Sequence, residues 1–464
     1  MNRYKKLFSN SIVFVIGNLG SKMITFFMLP LYTRYLTTSE YGQSDLISTL
    51  VSLLTPILTL SVIDAVFRFA MDKESDNKKV LTNGFLISTI SFILFLMLTP
   101  FIKNISYGLF IGVLTYASSL ESMLQQFARG IGRSKLYAFT GILMTLITVI
   151  SNVILLVYMG WKLQGYLISM LLAQVGGFLF LFFILRCWQY LNFRSIDNIL
   201  AKRMLVYSIP MIPNTVAWWL SNSVNKIFIT VMLSVSANGL YAVANKIPSL
   251  VSVFVTIFTQ AWQISAIEEY KSKDSGKFFS QIMNLTIEVL FVGVALLTLF
   301  SKPIVVILST QAYFPAWKVV PWLALAVLYS SLSSFLGTIY TSTMQTRYLF
   351  VTTFCGALTN VVANLVLVPT LGLIGVGISA TLAFVMISLM RFRDSRKFIK
   401  LTINRKKWIM SQLLFFTEII CLYWLPAMYG YIFAFVITIM ILYVNRDVFL
   451  PMIAVLKGKI KSNN

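Results

Sequence analysis

Fourteen apolar stretches, each about 20 residues long, run through this sequence between residues 11 and 444. An α-helix rises about 1.5 Å per residue, so each stretch is long enough to cross the roughly 30 Å hydrocarbon core of a bilayer. Only 11% of the residues are charged, whereas soluble domains carry about 25%. The sequence therefore predicts an all-α polytopic membrane protein with about 14 transmembrane helices. The stretches lie at 11–33, 44–69, 80–101, 107–128, 136–159, 164–186, 206–231, 240–266, 278–300, 316–341, 348–368, 371–390, 408–426 and 428–444.

The basic residues predict how the chain is oriented. The net charge is +23, and with a cytoplasmic N-terminus 29 Lys and Arg fall on the cytoplasmic side against five on the outer side. Because basic residues concentrate in cytoplasmic loops, this ratio predicts that both termini are cytoplasmic and that the number of spans is even. Most basic residues lie in short loops between apolar stretches, which argues against a nucleic acid partner.

The residues that the sequence lacks exclude several chemistries. It contains no histidine, which removes the usual proton shuttle, the commonest zinc ligand and every Ser-His or Cys-His dyad. Cys187, Cys355 and Cys421 are far apart and lie in or beside apolar stretches, where they are expected to pack as small hydrophobes. We therefore predict no metal site, no cofactor and no catalytic residues.

A weak internal repeat divides the chain. A shift of 197 residues places Leu36 on Leu233 and Gly42 on Gly239, so that two outer hairpins with a glycine overlay. Repeated helix bundles are a transporter architecture, in which two halves rock about a central site. The segment FRSIDNILAKRM lies near the join and is expected to form an amphipathic helix on the membrane surface. The predicted divisions are an N-terminal six-helix lobe at 1–190, a cytoplasmic linker at 191–205, a C-terminal six-helix lobe at 206–400, and two extra helices with a basic tail at 401–464.

Lys22 lies near the middle of the first apolar stretch, about eleven residues from either end. An ammonium that faces lipid at this depth costs at least roughly 2.5 kcal/mol, so we expect it to line an aqueous cavity or to meet an anion. Asn18 lies one helical turn earlier and shares its face. The alternative interpretation is an ion pair with a carboxylate of a neighbouring helix.

Two further lysines lie within the predicted spans of the second half. Lys226 and Lys246 flank the turn at Gly239, each about five residues inside its helix end. Asn222 lies one turn before Lys226, and Asn245 directly precedes Lys246, so both lysines have amide neighbours. They are candidates for lining the same cavity, although their depth also allows them to reach the outer headgroups.

Few acidic residues lie within the predicted spans. Asp64 and Arg68 are four residues apart, where they form either an internal ion pair or a cavity pair whose arginine keeps spare donors for a phosphate. Glu121, Glu288 and Glu418 each stand alone in a stretch and are candidates for lysine counter-ions or for carrying a coupling proton. The excess of cations favours an anionic ligand with a phosphate, and apolar grooves between helices would accommodate a lipid tail.

The stretch from Asn18 to Leu46, NLGSKMITFFMLPLYTRYLTTSEYGQSDL, resembles the N-terminal signature of the Wzx-type polysaccharide repeat-unit flippases. These proteins are a branch of the multidrug/oligosaccharidyl-lipid/polysaccharide (MOP) exporter superfamily. They carry a P-L-Y-T-R-x-L element at the end of the first helix and E-Y-G in the hairpin that follows. The matching residues are Pro30, Leu31, Tyr32, Thr33, Arg34, Leu36, Glu40, Tyr41 and Gly42.

The resemblance implies two six-helix lobes around a central cavity, with two C-terminal helices beside a lipid groove. It implies alternating access that moves undecaprenyl-diphosphate-linked oligosaccharides from the inner to the outer leaflet of a bacterial plasma membrane, for surface polysaccharide biosynthesis. Membrane lipid, glycosyltransferases and a polysaccharide polymerase are then the partners to expect. Drug-extruding relatives typically use an acidic residue on helix 1 for cation coupling, whereas this chain has Lys22 there.

We predict that Lys22 binds the diphosphate and that Arg68, Lys226 and Lys246 guide it through the cavity. Three alternatives stay open. A cation-coupled small-molecule exporter would share the fold. A membrane polymerase or ligase would need a larger outer loop with catalytic groups. A scaffold for partner enzymes would leave the intramembrane charges unexplained.

Overall fold

The computed structural model describes residues 23–72, 75–97, 107–192, 196–270, 272, 274–343 and 346–448. Throughout these ranges the regular structure is helical, which confirms the predicted all-α class. The chain divides into an N-terminal unit that ends at Val224 and a C-terminal unit that begins at Asn225. The predicted divisions at 190, 205 and 400 stay predictions.

The helices are numbered in chain order. The first eight are α1 (Leu29–Tyr35), α2 (Thr38–Leu58), α3 (Val62–Ala70), α4 (Asn77–Met97), α5 (Gly108–Gly130), α6 (Ser134–Asn152), which continues as a π-helix (Val153–Tyr158), α7 (Lys162–Ile184) and α8 (Asn198–Ser208). The others are α9 (Met211–Met232), α10 (Val235–Glu269), α11 (Ser275–Leu299), α12 (Ser301–Leu308), α13 (Val320–Ser342), α14 (Thr346–Leu371), α15 (Leu373–Ser395), α16 (Arg405–Trp424) and α17 (Ala427–Val444). Short 3₁₀ turns lie at Cys187–Gln189, Gln311–Lys318 and Arg446–Val448.

The helices account for the predicted spans. Nine helices in the described ranges are long and apolar enough to cross a membrane, or ten if α2 and α3 form one bent span. Helices α5, α9 and α16 are also of membrane length, with 23, 22 and 20 residues. In the described part of the chain, thirteen of the fourteen predicted stretches coincide with these elements. The first stretch lies mostly outside the described residues.

The second predicted span is broken into two helices. Helices α2 and α3 meet at an angle of 62°. Pro56 lies in the last turn of α2, and Leu60 and Ser61 follow with φ angles of 51° and 52°, in the left-handed region that side chains disfavour. After this break, Val62 and Val66 of α3 pack fully buried into the core of the N-terminal unit, together with residues of α4, α5 and α7. The bend therefore serves the packing of α3.

The core of the C-terminal unit surrounds α13, the most buried of the nine spans in the described ranges. Phe335 of α13 stacks on Trp262 of α10, with ring centroids 4.6 Å apart. The indole Nε1 of Trp262 also donates to Thr338 Oγ1 at 2.9 Å. Phe415 of α16 and Ile441 of α17 are fully buried in the same core. The last two described helices are thus packed within the C-terminal unit.

A short helix, α8, begins within the predicted amphipathic segment and extends four residues beyond it. Asp197 caps this helix, because its carboxylate accepts a hydrogen bond from the backbone N–H of Leu200 at 3.0 Å. The same carboxylate forms an ion pair with Lys79 at 2.9 Å. These two contacts hold the pKa of Asp197 below its usual range. Met204 is fully buried, while Val206 on another face is exposed. Lys202 and Arg203 are exposed as well, so the open side carries both charged and apolar side chains, and the position of the helix on a membrane surface stays a prediction.

Candidate functional site

A cavity of about 420 Å³, lined by both polar and apolar side chains, lies within the N-terminal unit. Tyr32 and Tyr166 form part of its wall and meet edge to face, with ring centroids 5.0 Å apart. Asn152, directly before the π-helix, donates from Nδ2 to the Tyr32 hydroxyl at 3.3 Å. Single π-turns inside membrane helices frequently mark functional sites. The polar residues of the lining are Thr25, Tyr32, Gln125, Tyr137, Thr145, Thr148, Tyr166 and Gln174.

Glu121 lies beside this cavity, buried where α5, α6 and α7 meet. A Cβ atom at Gly177 of α7 would lie 2.8 Å from Met144 Cγ and 3.1 Å from Glu121 Cγ, so glycine permits this close approach. The Oε1 atom of Glu121 has no hydrogen-bond partner among the described residues, and Gln125 lies one turn along the same helix. A buried carboxyl group with an oxygen that lacks a partner suits a proton carrier, and this role of Glu121 stays a prediction.

Glu288 is the counter-ion of a lysine, one of the two roles predicted for it, and its partner lies on another helix. Lys407 Nζ donates to Glu288 Oε1 at 3.0 Å and also pairs with Asp447 after α17. The hydrogen bond from Lys407 holds the pKa of Asp447 below its usual range. Sequence spacing could not reveal this pair, because 119 residues separate Glu288 from Lys407.

Glu418 is fully buried between the last two described helices. Thr438 Oγ1 of α17 donates to Glu418 Oε1 at 3.1 Å. The other carboxyl oxygen, Oε2, has no hydrogen-bond partner in the described ranges. Glu418 therefore links α16 to α17 through a hydroxyl group.

We expect replacement of Lys407 by alanine to destabilise the C-terminal unit. The Glu288 side chain is only 11% exposed and would lose its cation. Removing one partner of a buried pair costs about 3–5 kcal/mol, which the partial exposure of Lys407 reduces to about 1–3 kcal/mol. Thermal unfolding in detergent should show a smaller loss when Glu288 is already glutamine. Equal losses in the two backgrounds would show that these residues are not coupled.

Of the two cations predicted in the N-terminal unit, the structure describes Arg68 and not Lys22. Lys22 and Asn18 lie outside the described residues. Arg68 is exposed in the last turn of α3, while Asp64 in the first turn is half-buried. The structure describes both residues and shows no ion pair between them, so the alternative of an internal pair is wrong. A role of the exposed guanidinium in binding a phosphate stays a prediction.

The predicted cations of the C-terminal unit are half-buried. Lys226 lies on α9 and Lys246 on α10, and each interacts with other groups of the protein. Asn245 is exposed beside Lys246, while Asn222 lies within α9. Their joint action with Arg68 on one ligand stays a prediction.

Sequence reasoning missed a buried asparagine cluster in the C-terminal unit. Asn364 Nδ2 of α14 donates to Asn225 Oδ1 and to Asn360 Oδ1, both at 2.8 Å. Asn364 is fully buried, and its own Oδ1 has no partner among the described residues. The sequence feature that could have revealed this cluster is the spacing of Asn360 and Asn364. They are four residues apart in an apolar stretch, which places both on one helix face.

A second cavity, of about 410 Å³, lies between α10 and α13 of the C-terminal unit. Its wall is rich in hydroxyl groups, and those of Thr256, Ser331 and Ser334 donate to backbone carbonyls of their own helices. The polar lining residues are Ser252, Thr256, Thr259, Gln263, Ser330, Ser331 and Ser334.

Comparison with known proteins identifies the family of this chain. Residues 7–263, more than half of the chain, match the family described as "Polysaccharide biosynthesis protein". The chain belongs to this family. Among its relatives, Lsg locus putative protein 1 of Haemophilus influenzae is 24% identical over 267 residues, which are 55% of this chain and 65% of that protein. An uncharacterized membrane protein of Methanocaldococcus jannaschii is 26% identical over 407 residues, 81% of this chain and 94% of that protein.

Solved structures show the same fold as this polysaccharide biosynthesis protein. The lipid II flippase MurJ, in an inward closed conformation, matches with a TM-score of 0.70 at 13% identity, over 96% of this chain and all of that one (100%). An inward-facing multidrug resistance MATE transporter of the MOP superfamily matches with a TM-score of 0.62 at 14% identity, over 82% and 94% of the two chains. The predicted all-α membrane fold is thus confirmed, as is membership of a polysaccharide biosynthesis family, and the chain shares its fold with these solved structures.

The motif that suggested the family has structural roles in this polysaccharide biosynthesis protein. Thr37 and Glu40 form a capping box at the start of α2: the Glu40 carboxylate accepts the Thr37 N–H at 2.8 Å, and Thr37 Oγ1 accepts the Glu40 N–H at 3.2 Å. Tyr32 and Tyr41 are both buried, and their rings stack with centroids 6.3 Å apart. The motif therefore fixes the α1–α2 hairpin and places the Tyr32 hydroxyl at the N-terminal cavity.

Proposed function

We propose that this protein is a flippase that moves undecaprenyl-diphosphate-linked oligosaccharides from the inner to the outer leaflet of a bacterial plasma membrane by alternating access, with both termini cytoplasmic. The observation that best supports this proposal is a combination of two findings. The chain belongs to a polysaccharide biosynthesis family, and its membrane-length helices have the fold of a solved flippase. The likeness to a lipid II flippase supports a lipid-linked substrate. Glycosyltransferases that build the glycan and a polymerase that consumes it are the proposed partners.

In this proposal the charged and the apolar parts of the substrate take separate routes. Lys22 binds the diphosphate, and Arg68, Lys226 and Lys246 guide it, with Asn18, Asn222 and Asn245 as polar neighbours. The prenyl tail stays in lipid, where its transfer costs no desolvation. Cavities with polar lining residues in the two units support a substrate with a hydroxylated headgroup.

Coupling to an ion gradient needs an intramembrane carboxyl group in a chain without histidine. Asp64, Glu121, Glu288 and Glu418 are the proposed carriers. The ion pair with Lys407 makes Glu288 the weakest of them, because a proton there would have to displace a cation. Glu121 is the strongest candidate for the proton carrier, since it lies beside the cavity of the N-terminal unit and shows no ion pair in the described ranges.

A cation-coupled small-molecule exporter is the second candidate function, and the likeness to MATE transporters favours it. The absence of an acidic residue from the stretch 11–33 speaks against it, since the drug-extruding relatives carry one on helix 1.

The test is translocation by the purified protein in liposomes. A fluorescent undecaprenyl-diphosphate oligosaccharide is placed in one leaflet, and its arrival in the other is read by quenching with an impermeant reductant. We expect transfer above protein-free liposomes under a proton or sodium gradient. No transfer under any gradient, combined with export of a cationic dye, would replace the flippase by the exporter.

A further inference from the structure

We propose that the cavity of the N-terminal unit binds a neutral pyranose ring of the transported glycan, and that Gln125 and Gln174 form hydrogen bonds with its hydroxyl groups. The inference rests on the proposed flippase function and adds to it a location and a chemical class for the sugar. The cavity volume, about 420 Å³, falls within the roughly 300–1,000 Å³ typical of small-molecule sites.

Three tyrosine rings give the cavity walls that suit a sugar. Tyr32, Tyr137 and Tyr166 line it from three different helices of the unit. A pyranose has a flat face of C–H groups and a rim of hydroxyls, and tyrosine offers an apolar ring with a polar tip. The edge-to-face contact of Tyr32 with Tyr166 and the bond from Asn152 fix two of these rings. The walls are therefore in place before a ligand binds.

The cavity also has acceptors without donors. Gln174 Oε1 is buried and has no hydrogen-bond partner among the described residues. Gln125 is not among these acceptors: its Nε2 donates weakly to the sulfur of Met144 at 3.7 Å, and its side chain also forms a hydrogen bond with Glu121. The hydroxyls of Thr145 and Thr148 donate to backbone carbonyls of their own helix at 2.8 and 2.9 Å, so their oxygens remain acceptors. A ligand rich in O–H donors can satisfy the acceptors at Gln174, Thr145 and Thr148 at once.

The lining residues that the structure describes carry no formal charge, which favours a neutral ligand. A charged ligand would lose its hydration without meeting a counter-ion among these residues, whereas the hydroxyl groups of a neutral sugar would form hydrogen bonds with the lining. Glu121 lies behind Gln125 and Gly177 and is not part of the lining.

The experiment measures sugar binding directly. The full chain is placed in lipid nanodiscs, and methyl glycosides of glucose, galactose, N-acetylglucosamine and N-acetylgalactosamine are tested by saturation-transfer difference NMR. Gln125→Leu and Gln174→Leu keep the side-chain size and remove its hydrogen bonds. Gln126→Leu is the matched control, because Gln126 is the next residue of the same helix and does not line the cavity. The two test positions lie on different helices. If one variant misfolds, the other still tests whether the cavity binds the sugar.

We expect at least one glycoside to receive saturation at its ring protons, with a signal about fivefold lower in each test variant and unchanged in Gln126→Leu. Binding of no glycoside by the wild type, or equal binding by all four proteins, would overturn the inference. Binding of tetraphenylphosphonium that is lost in Gln174→Leu, without glycoside binding, would overturn it in favour of an exporter cavity. Translocation by a wild type that binds no glycoside would overturn the sugar site alone. Glycoside binding without translocation would support the sugar site and overturn only the flippase.

Discussion

Replacement of Lys22 by alanine is expected to lower translocation of the undecaprenyl-diphosphate oligosaccharide about 100-fold, while the protein still inserts into the membrane. A hydrogen bond to a charged group is worth about 1.5–3 kcal/mol in water-exposed settings, and more where lipid and protein exclude water. Lys22 is the only charged residue in the stretch 11–33, so no other residue of that stretch can replace its charge. The measurement is the initial rate of transfer between leaflets in liposomes.

Two controls make this result specific. Lys22→Arg keeps the cation and should retain a measurable fraction of the rate, since arginine also binds phosphate. Lys162→Ala removes an exposed lysine at the start of α7 and should leave the rate unchanged. A full rate in Lys22→Ala would show that the diphosphate is bound elsewhere.

Replacement of Gly375 by alanine is expected to cause the largest loss of stability among the predicted variants. A Cβ atom at this buried position of α15 would lie 2.2 Å from the carbonyl oxygen and 2.6 Å from the carbonyl carbon of Leu367. These are backbone atoms of α14, so the clash cannot be relieved by a rotamer change and the two helices must separate. Overpacking of this kind costs about 3 kcal/mol or more. The measurement is the midpoint temperature of thermal unfolding in detergent. Unfolding is monitored as the fraction of protein that remains monodisperse after heating.

Gly293→Ala is the matched control for Gly375→Ala. Gly293 lies inside α11, and a Cβ atom there would meet no atom within 4 Å. Alanine favours the helix by roughly 0.5–1 kcal/mol over glycine, so the unfolding midpoint should stay constant or rise slightly. Similar losses in the two variants would show that close packing of α14 on α15 is not the cause.

The positions of the helices could be read from the sequence because they depend on local properties. The length of each apolar stretch and the charges between stretches suffice to place a helix, since a membrane leaves few other structures for such a segment. The break after Pro56 is different. Proline weakens the helix locally, but the left-handed backbone at Leu60 and Ser61 follows from the packing of α3 into the core.

The candidate site shows the same division. The sequence identifies its charged residues, because a charge within an apolar stretch is costly and therefore conspicuous. It cannot identify their partners. Glu288 finds Lys407 across 119 residues, and Asn364 finds Asn225 across 139.

The sequence by itself determined the all-α class, the spans, the family motif and the cations that favour an anionic ligand. Only the tertiary structure decided that Glu288 is paired, that Asp64 and Arg68 are not, and that uncharged tyrosine and glutamine side chains enclose a cavity. The physical reason is that helix formation in a membrane follows from the composition of one segment, whereas a pair or a cavity depends on which faces of several helices meet.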